Sequence, residues 1–150
     1  MRISAKADYA VRAATELAGK EGPTKGDAIA RAQDIPLRFL ENILGDMRQA
    51  GIVRSQRGAE GGYWLAKPPK EVTVADVIRA VEGPLAAIRG EPPEDVHFAG
   101  SAEPLGRLWI AVRANLRGVL ENVTLADLSD GKLPARIDKL ADDPEAWVTR

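Results

Sequence analysis

At 150 residues with 45% apolar side chains, the chain has room for one compact domain, or for a small domain carrying an oligomerisation arm, and wholesale disorder is excluded. No apolar run approaches the roughly 20 residues that cross a bilayer, and Met1-Arg2-Ile3-Ser4 leads into a charged helix instead of a signal-peptide core, which predicts a soluble, cytoplasmic protein. The absence of cysteine excludes disulfides, thiolate nucleophiles, Cys-ligated zinc and thiolate-bound iron-sulfur clusters. The net charge of −1 is divided unevenly: residues 1–70 hold 12 Lys/Arg against 8 Asp/Glu, and residues 71–150 hold 9 against 14. A basic front half and an acidic back half suit a DNA-reading module joined to something else, although so small an asymmetry carries little weight alone.

Ser4 is placed to cap a helix from Ala5 to Gly19, with Ala7, Ala10, Val11, Ala14, Leu17 and Ala18 on its apolar face. Thr24 with Asp27 resembles a capping pair for a second helix, Lys25 to Gln33, with Ala28, Ile29 and Ala32 inward and a turn at Asp34-Ile35-Pro36. The spacing of Leu40, Ile43, Leu44 and Met47 predicts a third, amphipathic helix from Leu37 to Ala50, stopped by Gly51. Two short helices joined by a tight turn form a helix-turn-helix. The following arm, Ile52 to Arg57, the turn Gly58-Ala59-Glu60-Gly61-Gly62 and the return Tyr63 to Leu65 read as a hairpin. It is too small to fold alone, so it must pack on the helices and present its glycine-rich tip outward. The fold class is therefore mainly α with a small β-hairpin wing.

Pro68-Pro69 blocks further pairing, and Thr73 with Asp76 has the spacing of an N-cap for a helix through Val77, Ile78, Ala80 and Val81, stopped by Gly83-Pro84. Leu85 to Pro104, rich in Gly, Pro and acidic residues, reads as a long loop. A strong helix then runs from Leu105 to Asn122 with Leu105, Leu108, Trp109, Val112, Leu116, Val119 and Leu120 on a broad stripe. That stripe suits pairing with a second copy and burial against the chain's own helices equally well. Thr124 caps a short turn over Leu125 to Leu128, and the segment from Ser129, with Pro134 and Pro144, reads as a polar, partly ordered tail.

Met1-Arg2-Ile3-Ser4 with Asp8-Tyr9-Ala10-Val11-Arg12-Ala13, the Ile35-Pro36 turn, Phe39-Leu40-Glu41, Ala50-Gly51-Ile52-Val53, Arg57-Gly58 with Gly61-Gly62-Tyr63, and Asp76-Val77-Ile78-Arg79-Ala80-Val81-Glu82-Gly83 resemble the Rrf2 family of bacterial transcription regulators. The motifs lie in the family's order through Leu128. The resemblance implies a winged helix-turn-helix domain over residues 1–83, a sensing loop and dimerisation helix over 84–128, and a polar tail over 129–150. It also implies a homodimer on an imperfect palindrome of double-stranded DNA, with Leu108, Trp109, Val112, Leu116, Val119 and Leu120 as the dimer seam.

A helix in the major groove offers its first turns to base edges, which places Leu37, Arg38, Glu41 and Asn42 for readout. Arg38 suits guanine, Glu41 suits the cytosine amino group, and Asn42 suits adenine or a phosphate. The resemblance adds that Glu41 matches a recognition-helix acid that shapes site choice and Arg57 a wing arginine. Arg57 with Gly58, Gly61 and Gly62 suits insertion into a narrow minor groove, where glycines let the backbone approach. Arg2, Ser4, Lys6, Lys25, Arg48 and Arg54 are candidate phosphate contacts. Blander roles compete: Glu41 as a solvated acid, Arg38 and Arg48 as solvated surface, and the glycines as a hairpin turn that needs positive φ. A phosphate cradle is disfavoured, because Arg-Gly-Ala-Glu-Gly-Gly lacks the Lys-Ser/Thr ending of a P-loop.

Many Rrf2 members hold an iron-sulfur cluster through cysteines in the loop after the fourth helix, with a further ligand from the partner's first helix. Here the loop has no cysteine, Asp8 stands where some relatives offer an oxygen ligand and Arg12 where another offers histidine, so no cofactor is expected. Asp8 and Arg12, four apart, more simply form an ion pair on the helix surface. His97, the only histidine, sits among Glu91, Glu94, Asp95 and Glu103, yet a lone loop histidine is an ordinary surface residue more often than a metal ligand. An apolar pocket lined by Trp109, Ile88, Phe98 and Leu105, with Arg113 or Arg107 for an anion, competes with Trp109 as plain core.

The reading that follows is a homodimeric DNA-binding regulator, a repressor on a palindromic operator, answering to a small molecule, a protein partner or no effector, and in any case not to an iron-sulfur cluster. The alternative is an interaction protein that holds a metabolic enzyme, with DNA as a secondary partner. An enzyme is disfavoured, since one loop histidine and no cysteine leave few pairs of nucleophile and base.

Overall fold

The computed structural model describes residues 1–150. Its first helix, α1 (Ala5–Ala18), starts where Ser4, in extended conformation, accepts a 3.0 Å hydrogen bond at Oγ from the Ala7 N–H. The buried face is Ala7, Ala10, Ala13, Ala14 and Leu17. Small side chains along this face let neighbouring helices approach closely.

The second helix, α2 (Gly26–Gln33), departs from expectation in two respects. It has no side-chain cap, because Thr24 is held by the wing, where its backbone exchanges two 2.8 Å hydrogen bonds with Tyr63. The buried pair is Ile29 and Ala30, while Ala32 is exposed. Ile29 is inward as expected, Ala30 joins it in place of Ala32, and the left-handed turn at Asp34 swings Ile35 into the core.

The third helix, α3 (Leu37–Gln49), buries Leu40, Ile43, Leu44 and Met47 as its spacing predicts. Each such side chain removed from water stabilises the fold by roughly 1.5–3 kcal/mol. The hairpin is shorter than the sequence suggests: β1 (Val53–Gln56) pairs antiparallel with β2 (Gly62–Leu65) from Val53↔Leu65 to Gln56↔Gly62. Ile52 is spent on closing α3, its N–H donating to the Met47 carbonyl at 2.9 Å.

The fourth helix, α4 (Val74–Glu82), carries a complete capping box between Thr73 and Asp76 and ends at Gly83 with φ +83°. The chain from 84 to 104 is more ordered than a bare loop, with helical turns at Pro93–Asp95 and Gly100–Ala102, a bridge between Ile88 and Glu91, and Leu85, Pro93 and Val96 buried. It leads into α5 (Leu105–Leu120), of whose residues none is buried.

After α5 the chain returns to the first domain. The Val74 N–H donates to the Val123 carbonyl and the Leu125 N–H to the Val72 carbonyl, both at 2.9 Å. A second capping box, Thr124 with Asp127, opens α6 (Leu125–Asp130), and Leu125 is fully enclosed in the same core as Leu40, Leu44 and Met47. The expected polar tail instead forms α7 (Ala135–Ala141), whose Ile137 packs with Val74 and Val123. Pro134 stands at the N-cap of this helix, where a missing N–H costs nothing, so it is compatible with starting a helix.

Candidate nucleic-acid interface

With its apolar stripe fixed inward, α3 turns Leu37, Arg38, Glu41 and Asn42 to solvent. Arg48 and Gln49 are exposed about two turns further on, and Asp46 is half-buried. Two contacts orient the edges of this face. Arg48 donates to the Ser55 hydroxyl at 3.2 Å, so its edge faces the wing, and Lys6 pairs with Asp46 at 2.7 Å, so the opposite edge faces the start of α1. Pro36 at the N-cap supplies no side-chain acceptor, which leaves the first-turn N–H groups of α3 to an outside acceptor such as a phosphate.

Other expected phosphate contacts are also tied into the fold. Ser4 caps α1 and donates to the Glu82 carboxylate, and the Lys25 ammonium donates to the Gly58 carbonyl at the wing tip. Arg2, Arg38, Arg54 and Arg57 are exposed and make no ion pair within the chain. Among the cations expected at the DNA, these have nothing to give up on meeting an anion.

The wing glycines divide into two kinds. Gly58, exposed with φ +105° and no atom near its missing side chain, leaves room at the tip. Gly61 and Gly62 are buried: a Cβ on Gly61 would strike the Gln56 carbonyl, and one on Gly62 (φ +147°) would stand 2.6 Å from the Thr24 carbonyl oxygen. Their requirement for glycine arises inside the fold, where the wing closes on itself and on the α1–α2 turn. Spacing alone could not separate these roles.

Phe39 has no role in the expectations drawn from the sequence. It is 62% exposed on α3, with Leu37, on the other edge of the helix, 43% exposed. Its place off the Leu40 stripe was the available signal.

The stripe of α5 lies open in the single chain, with Leu108 half exposed and Trp109, Val112, Leu116, Val119 and Leu120 partly covered. A groove of about 840 Å³ brings together Trp109, Ile88, Phe98 and Leu105 as expected, with Met1 and Ile3 beside them. The expected anion partners are placed otherwise. Arg113 is largely buried and pairs with Glu94 of the loop, Arg107 is exposed, and Arg2 and Arg89 line the groove instead. The backbone hydrogen bond at Glu94 and then its bond from Arg113 hold this carboxyl below its ordinary range.

A helix-turn-helix whose second helix shows a polar face beside a basic hairpin defines a winged-helix DNA-binding protein. The Rrf2 family, described as iron-dependent transcriptional regulators, matches residues 3–131. Rv1287 of Mycobacterium tuberculosis, named an HTH-type transcriptional regulator, is 48% identical over 148 residues, spanning 97% of this chain and 92% of its own. The HTH-type transcriptional regulator CymR of Bacillus subtilis is 40% identical over 132 residues, 86% of this chain and 90% of its own. The solved structure of CymR, the global cysteine regulator of B. subtilis, superposes with a TM-score of 0.71 at 36% identity, covering 88% of this chain and 98% of that one. The chain belongs to the Rrf2 family and is a DNA-binding transcriptional regulator; the family and these relatives are regulators, not enzymes. No helix is long and apolar enough to cross a membrane.

The donor set does not fit the family's iron. There is no thiol in the chain, Asp8 is engaged by Arg12 at 2.9 Å, and no three His, Asp or Glu side chains converge on a point. Arg12 is further committed by stacking on Tyr9 and donating to the Gln33 carbonyl at 2.6 Å.

Proposed function

We propose that the protein is a cytoplasmic, homodimeric repressor that binds a palindromic operator and is released by a signal other than an iron-sulfur cluster. The observation that carries the reading is the outward face of α3, where Arg38, Glu41 and Asn42 are exposed together on a helix held against a wing that ends in the unpaired Arg57. Arg38, Glu41 and Asn42 read base edges in the major groove, and Arg57 with Gly58 enters the flanking minor groove. Arg2 and Arg54, which have no partner within the chain, set the register on phosphates, and Lys6, Lys25 and Arg48 join them by exchanging their internal partners for phosphate oxygens.

Dimerisation through α5 is supported by an apolar stripe none of whose residues is buried in the single chain. Pairing two copies along it removes that surface from water and sets two recognition helices about one DNA turn apart. The signal acts at the segment 84–104, which is latched to α5 by Glu94 and Arg113 and borders the apolar groove. Footprinting of purified protein on promoters near its gene, at low salt, tests the reading: a protected palindrome is expected, and no protected palindrome at any of them refutes it.

A further inference from the structure

Phe39 stands in the first turn of α3, 62% exposed, on a helix whose other apolar side chains after Leu37 are buried. Exposing a phenyl ring costs hydration free energy that an unliganded surface does not repay. Its direction follows from the register. Seven residues make two helical turns, so Phe39 lies on the edge of Asp46, which Lys6 ties to the start of α1, and Glu41 lies on the edge of Arg48, which Ser55 ties to the wing. Arg38 and Asn42 fall between these edges. The reading face is thus polar at its centre, carries Glu41 beside the less exposed Leu37 on its wing side, and is apolar on its α1 side, where Phe39 is the most exposed side chain.

The major groove offers one apolar group, the 5-methyl of thymine, which lies at the groove wall beside the hydrogen-bonding edges. We propose that Phe39 is a specificity-determining residue that reads a thymine methyl in each half-site, on the flank of α3 away from the wing. This rests on the DNA-reading role proposed for α3. A ring in that position has no hydrogen bond to offer, so it discriminates by burying the methyl and not by pairing.

The test uses the full-length protein to select its site from random DNA. Each thymine of the selected half-site is then replaced in turn by deoxyuridine, which removes the methyl and leaves the base pair intact. One thymine per half-site is expected to show about a fourfold loss of affinity on replacement, the worth of one buried methyl-sized group. Phe39→Ala is expected to bind thymine and deoxyuridine versions of that site equally, and Phe39→Leu to retain part of the preference. A selected site with no deoxyuridine-sensitive thymine, or a sensitivity that survives unchanged in Phe39→Ala, overturns the proposal alone. Failure to select any sequence overturns the DNA-reading role and the proposal with it.

Discussion

Thr24 and Tyr63 exchange two 2.8 Å backbone hydrogen bonds, which seat the wing on the turn between α1 and α2 directly over Gly62. This junction makes the position of Arg57 a property of the whole domain, because the strand that leads to it is anchored through its partner. The same contact explains why Thr24 does not cap α2.

Gly62→Ala is therefore expected to destabilise the protein by about 2 kcal/mol or more, from the clash with Thr24 and the unfavourable φ together. Urea unfolding measures the loss. Gly58→Ala, at an open position, is expected to cost less, leaving only the conformational term.

Arg57→Ala is expected to leave stability unchanged and to weaken operator binding by about 1–3 kcal/mol, mainly on sites with A·T-rich flanks where the minor groove is narrow. Titrations on operators that differ only in their flanks measure this. Equal weakening on every sequence would mark a phosphate contact instead.

Leu108→Glu adds a charge at a half-exposed position of α5, so the single chain should fold normally. Two such charges facing each other in a dimer seam would be desolvated without partners. Sedimentation is expected to show a dimer for the parent protein and a monomer for the variant. An unaltered dimer would place the seam elsewhere.

The attachment of the 84–104 segment to α5 should depend on pH through Glu94. Its folded pKa is depressed, by its backbone hydrogen bond first and by Arg113 second. The attachment is thus fully present above the ordinary carboxylate range of about pH 4–5 and is lost as pH falls through the lower folded value. Amide exchange of residues 93–98 is expected to be flat across neutral pH and to rise only in acid. Glu94→Gln is expected to raise it at neutral pH.

Leu125→Ala is expected to cost about 2–5 kcal/mol, as for a leucine of the winged domain itself, although it lies beyond the long helix in the chain. A cost near zero would mean that α6 is an appendage.

The parts of the fold legible in the sequence are those set by neighbours within one or two turns. The stripe Leu40, Ile43, Leu44 and Met47, the capping boxes Thr73–Asp76 and Thr124–Asp127, and the stop at Gly51 are all local patterns. What escaped was decided by partners distant in the chain. Thr24 is claimed by Tyr63, Gly61 and Gly62 are buried against Gln56 and Thr24, Arg113 is taken by Glu94, and α7 is held by Ile137 against Val74 and Val123. The exposed reading face follows from helical periodicity, yet periodicity, which puts Phe39 off the buried stripe, does not by itself give that side chain a function.

The most direct measurement is the ratio of operator affinity to random-DNA affinity, at one salt concentration, for the parent protein and for a variant with Arg38, Glu41 and Asn42 all replaced by alanine. With each base contact worth about 1–3 kcal/mol, the ratio should collapse by roughly 100-fold or more while the folding transition is unchanged. A ratio that survives the triple replacement would show that the outward face of α3 does not read the sequence.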